Sequence, residues 1–123
     1  MKKILFAFTL FVFSITSVYA QENTHEVCST FSEGGEAAME MRQNNYTIRE
    51  VMNAAMGQLK KDRSLTAEER QLSEKLMEYM ITQAYEMPLM STPQKKAVAI
   101  TEFGNKMYLE CVELFDELDS TYY

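Results

Sequence analysis

The stretch "KLMEYMITQAYEMPLM", residues 75–90, carries four methionines in sixteen positions: Met77, Met80, Met87 and Met90. Two chemistries favour such a run. Thioethers are soft ligands suited to copper(I), and they are also adaptable fillers of hydrophobic cores. Spacing separates the two. Met80 and Met87 fall in helical register with Leu72, Leu76 and Ala84, and Tyr79, Ile81 and Tyr85 widen that stripe. A strand would need alternation with period two, which is missing. Pro88 disfavours helical geometry at Met87 and stops the run. The stretch therefore reads as the inner seam of a long helix.

The flanking sequence supplies helix starts. "TAEE" at 66–69 is a capping box that opens this helix, and "TIRE" at 47–50 opens a shorter one before it. In the shorter helix Ile48, Val51, Met52, Ala55, Met56 and Leu59 share a face, and "KKDRS" at 60–64 ends it. Thr92 caps a third entry with Pro93 at the first helical position. The helix that follows is expected to reach about Asp119. Ala97, Gly104, Cys111 and Leu118 recur every seven residues in it, with Ile100, Met107 and Leu114 interleaved. Val98, Tyr108, Val112 and Phe115 broaden that bundle seam. Upstream, a helix from Asn23 or Thr24 to about Gln43 places Val27, Cys28, Phe31, Gly35, Ala38 and Met41 or Arg42 at helical spacing. Gly34 and Gly35 weaken its interior by about 1 kcal/mol each relative to alanine. Close approach of a neighbouring helix would offset that cost; a kink is the alternative. Four helices with short connections predict an all-α fold, a four-helix antiparallel bundle.

Residues 1–20 read as a cleaved signal peptide: Lys2 and Lys3, then the apolar "ILFAFTLFVF", then "VYA" with small residues where a signal peptidase reads. The apolar run is shorter than the ~20 residues a spanning helix needs. Residues 21–123 would then be a single helical domain. The 123-residue chain has 12 Lys plus Arg against 18 Asp plus Glu, net −6, and losing Lys2 and Lys3 makes it −8. That balance disfavours nucleic acid and anionic membrane surfaces and suits a basic protein partner. Two cysteines alone, Cys28 and Cys111, predict one disulfide in an oxidising compartment, joining the first helix to the last. Because Cys111 lies on the seam it faces inward, as the bridge requires. Periplasmic or secreted localisation follows.

The chemistry-bearing residues are sparse. Met77, Met80, Met87 and Met90 are the candidate copper(I) ligands, although their register favours packing. Met39 and Met41 are two apart and point to opposite sides of their helix, so they cannot share an ion. His25, the one histidine, reads as a solvated residue near a fraying start. No serine or cysteine nucleophile stands in a recognised setting, and no phosphate loop or zinc or calcium spacing is found. The reading is non-enzymatic, with no cofactor. One rule is broken. Glu110, Glu113, Asp116, Glu117 and Asp119 crowd the end of the last helix, with no Lys or Arg after Lys106. Negative charge there opposes the helix macrodipole. Glu110, Glu113, Asp116 and Glu117 are therefore the candidate partner-binding residues, a solvated face being the plainer alternative.

Cys28, "MRQNN" at 41–45, "MNAAM" at 52–56, "AYEMP" at 84–88 and "EFGNKMYLEC" at 102–111 together carry a resemblance. The pattern resembles small exported, two-cysteine helical proteins of proteobacteria and their phages, over nearly the whole mature chain. In size, export and helicity the chain is also similar to periplasmic immunity proteins that neutralise secreted cell-wall amidases. An export address, a helical core, an acidic surface and the lack of a catalytic constellation lead to the expectation of an exported, disulfide-clasped bundle that acts by binding, most simply another protein, as inhibitor, immunity factor or accessory subunit. The resemblance implies no particular contact residues and leaves homo-oligomerisation open.

Overall fold

A computed structural model describes residues 24–122, with side chains to position 117. The expected signal peptide lies outside the described residues, as do the side chains of Leu118 and Asp119. Four α-helices make up the fold: α1 Thr24–Gln43, α2 Ile48–Lys61, α3 Ala67–Glu86 and α4 Pro93–Tyr122. They form an all-α antiparallel bundle, and no strand occurs among the described residues. No helix among them is long and apolar enough to cross a membrane.

The local start signals act as expected. Thr47 and Thr66 each accept the backbone N–H of the glutamate three residues on, at 3.1 Å in both boxes. Glu50 and Glu69 return the bond to the threonine N–H groups at 2.9 and 3.0 Å. Thr92 accepts the Lys95 N–H at 3.1 Å, ahead of Pro93. The C-terminus of α1 closes in a Schellman motif. Tyr46 N–H reaches the Met41 carbonyl and Asn45 N–H the Arg42 carbonyl, both at 3.1 Å. Asn45 takes the left-handed conformation, φ 66°, that this motif requires and that asparagine tolerates.

Packing is uneven. The principal interface joins α1 to α4, α1 also packs on α3, and α2 packs on α3 while barely touching α1. Along the antiparallel α1–α4 pair, Cys28 meets Cys111, Gly35 meets Met107, and the Gln43 carbonyl meets the Lys96 ammonium. Helix α1 is unbroken across Gly34-Gly35, both buried, so close approach and not a kink explains the pair. A Cβ on Gly35 would lie 2.7 Å from Met107 Cγ and 3.2 Å from its Cβ. The Gly104 backbone is equally crowded by Glu36, and its carbonyl accepts the Ser32 hydroxyl at 2.7 Å. The disulfide Cys28–Cys111 spans 5.5 Å between Cα atoms and closes this crossing.

Two seams differ from expectation. In α3 the buried residues are Ser73, Met77, Met80, Ile81 and Ala84; Leu72 and Tyr79 are exposed, and Leu76, Tyr85 and Met87 are half-buried. Ser73 escapes a hydrophobic count because it is polar. Its hydroxyl donates to the Glu69 carbonyl at 2.8 Å, satisfying itself within the helix and freeing the position for burial. In α4 Ala99, Phe103, Gly104, Met107 and Cys111 face inward, while Ala97, Val98 and Leu114 are exposed. A straight helix drifts about 20° per heptad from a strict seven-residue repeat.

Candidate functional site

Helix α4 positions the acidic residues. Glu113, Asp116 and Glu117 are exposed, and Glu110 is half-buried. Glu110 is engaged: the Tyr79 hydroxyl donates to its carboxylate at 2.6 Å, tying α3 to α4. That bond, with burial and the charges of Glu110 and Glu86, pushes the tyrosine pKa up to about 12. Tyr79 is therefore a permanent donor here, and Glu110 serves partly as a strut. One turn further on, Leu114 is 48% exposed, and Leu109, next to Glu110, is 60% exposed. The acidic stripe is thus interleaved with large apolar side chains. Sequence reasoning missed this by assigning Leu114 to the seam and passing over Leu109, whose position two residues from Met107 already takes it off the inner face.

The methionines are divided between two settings. Met77 and Met80 have no more than 1% of their surface exposed and belong to the core. Met87 and Met90 are half-buried and line one open recess of about 310 Å³ with Val98 and Ala99. The structure brings the second pair to a common space and places the first pair outside its lining. Met39 and Met41 are both buried, with Met39 Sδ accepting from Gln43 Nε2 at 3.4 Å. Among the described residues no group of three or more His, Cys, Asp or Glu could hold a metal ion.

His25 is exposed as expected, yet it is not loose. Its Nδ1 is hydrogen-bonded to the Tyr108 hydroxyl at 2.8 Å, the rings meeting edge-on at 5.9 Å. This contact stitches the first turn of α1 to α4 one turn from the disulfide.

The most organised polar cluster surrounds the end of α1. Gln43 is 1% exposed, and its amide donates to the Pro88 carbonyl at 3.0 Å and accepts the Met90 N–H at 2.8 Å. Arg42 donates through Nε to the Met87 carbonyl at 3.0 Å and lies 5.3 Å over the Tyr85 ring. Tyr85 in turn donates to the Tyr46 carbonyl at 2.7 Å. Burial raises the Tyr85 pKa against the opposing pull of the Arg42 cation. These bonds satisfy the backbone of the proline-bearing α3–α4 connection, where an unpaired buried group would cost about 1–3 kcal/mol. Lys96 caps the Gln43 carbonyl at 2.7 Å, favourably placed against the C-terminal helix dipole. The cluster is a fastening, with its donors and acceptors turned on each other.

Fold and surface together define a disulfide-clasped, all-α bundle with an acidic, leucine-bearing outer helix. Comparison with protein-family models, curated proteins and solved structures returned no match to the chain.

Proposed function

We propose that this is an exported, non-enzymatic protein that acts by binding another protein, as an inhibitor, immunity factor or accessory subunit. The observation that carries the reading is the exposed stretch of α4 from Leu109 to Glu117. Leu109 and Leu114 stand exposed among Glu113, Asp116 and Glu117 on a helix fastened to α1 by the disulfide. Interfaces combine apolar anchors with complementary charge, and this stretch offers both on a rigid element. The partner surface it suits is basic, with apolar recesses for the leucines. The N-terminal sequence and a two-cysteine chain with both cysteines in one disulfide support an oxidising, extracytoplasmic setting.

The test is capture from a cell-envelope extract by immobilised wild-type protein and by the triple variant E113K/D116K/E117K. The variant should retain several-fold less of a cationic partner at physiological salt, because rim charges act mainly on association. Equal retention by both would remove the acidic face from the reading.

A further inference from the structure

The recess at the start of α4 differs in character from the acidic end. Its lining is apolar, from Met87 and Met90 in the connection and Val98 and Ala99 in the helix. Val98 is 54% exposed, and Leu89, adjacent to Met90, is 44% exposed. Two exposed charges stand at the lining, Lys95 and Glu102. The recess is a small, largely apolar patch with one charge of each sign at its edge.

The charges identify the occupant. Lys95 and Glu102 are seven residues apart, about two turns, and so lie on one side of α4 with Val98 between them. A two-fold axis perpendicular to α4, passing between Val98 and Ala99, exchanges position 95 with position 102. Two copies packed antiparallel about that axis set each lysine against the other copy's glutamate and each Val98 against the other recess. Isologous contacts require a patch that complements itself in this way. Had both charges been of one sign, the same packing would be repulsive.

We propose that this recess is the interface of a homodimer, two α4 helices crossing antiparallel at Val98–Ala99 with two reciprocal Lys95–Glu102 pairs. Flexible Met87 and Met90 adapt the recess walls to the incoming valine. Only the first turns of α4 overlap in this arrangement, so the acidic ends project from opposite ends of the dimer. Glu113 of each copy then lies roughly 40 Å from its counterpart along the helix direction, at 1.5 Å per residue. The patch is one helix wide, which puts the contact among the small interfaces and its dissociation constant in roughly the micromolar range or above. The inference is independent of the partner-binding reading, since it needs no second protein.

Sedimentation of the intact, disulfide-bonded chain from about 1 μM to about 1 mM spans that affinity range. Wild type should pass from monomer to dimer within it. Lys95→Glu and Glu102→Lys should each weaken association roughly tenfold or more by turning two attractive pairs repulsive. The double variant K95E/E102K should restore it, and Val98→Asp should abolish it. Lys95→Glu also places a glutamate three residues after Thr92, completing a capping box that supports the helix, so its loss of association does not reflect a damaged fold. A monomer throughout the range, a dimer indifferent to the single reversals, or failure of the double variant to recover would each overturn the proposal.

Discussion

The α1–α4 crossing and the α2–α3 hairpin occupy the same small bundle and are held by different means. At the crossing, glycines let two backbones approach, a disulfide joins positions 83 residues apart, and Ser32, Gln43 and Lys96 bond across the gap. In the hairpin the visible devices are local: two capping boxes, an Asp62 carboxylate accepting the Ser64 N–H at 2.9 Å, and half-buried Met52 and Met56 against the core. Small side chains make the first interface intolerant of added volume, whereas adaptable thioethers make the second forgiving. The outer helix that bears both candidate surfaces is fixed by the intolerant one.

The largest expected effect follows from cutting the clasp. Replacing both cysteines, Cys28→Ala/Cys111→Ala, should lower unfolding free energy by up to about 4.5 kcal/mol, the loop-entropy figure for so long a closure. Urea denaturation measures the loss, and amide exchange localises it. Protection should fall in α1 and α4 before it falls in α2 and α3. A loss under about 1 kcal/mol would show that the glycine crossing holds without its covalent bond.

Glycine substitution compares the two regions by the same change. Gly35→Ala drives a methyl into Met107 near its backbone and should cost about 1–3 kcal/mol, the usual cost of overpacking. Gly57→Ala in α2 meets nothing within 4 Å and should stabilise by about 0.5–1 kcal/mol through helix propensity. Thermal melts of the two variants should therefore move in opposite directions. Shifts of the same sign would mean that the crossing is looser than its geometry implies.

This contrast also explains what was legible beforehand. Caps, turns and proline stops are encoded within four residues, so "TIRE", "TAEE" and "STP" gave the helix starts without tertiary information. The disulfide was readable because two cysteines admit one pairing. Burial in α3 and α4 was not, because it depends on which neighbour arrives at which angle: Ser73 is interior and Leu72 exposed despite their hydropathy. Gln43 reads as an ordinary polar residue until the α3–α4 connection folds onto it. Segments "MRQNN" and "AYEMP" interlock through Arg42 and Gln43, while "EFGNKMYLEC" packs on the Cys28–Glu36 stretch of α1 through Gly104, Met107 and Cys111. The candidate binding surfaces, being patches of exposed side chains, left only the acidic run as a signal.

The smallest expected effect concerns the electrostatic cost of the tight crossing. Glu36 lies across Gly104, and burial, reinforced by the Glu33 charge, raises its carboxyl pKa above the ordinary 4.5. A carboxyl with a raised folded pKa favours the folded state fully only while protonated in both states. Its contribution is lost as pH climbs from the unfolded value through the folded one, and at neutral pH the ionised group opposes folding. Glu36→Gln should therefore match wild type near pH 3 and exceed it at pH 7 by on the order of a few tenths of a kcal/mol, solvent screening keeping the difference small. Glu33→Gln should recover part of the same gain, because it removes one of the two causes and leaves burial in place. Stability measured across that pH range separates them. If Glu36→Gln instead lost stability at pH 7, the ionised carboxylate would be making a favourable contact at the crossing, and closeness of the two helices would carry no electrostatic cost.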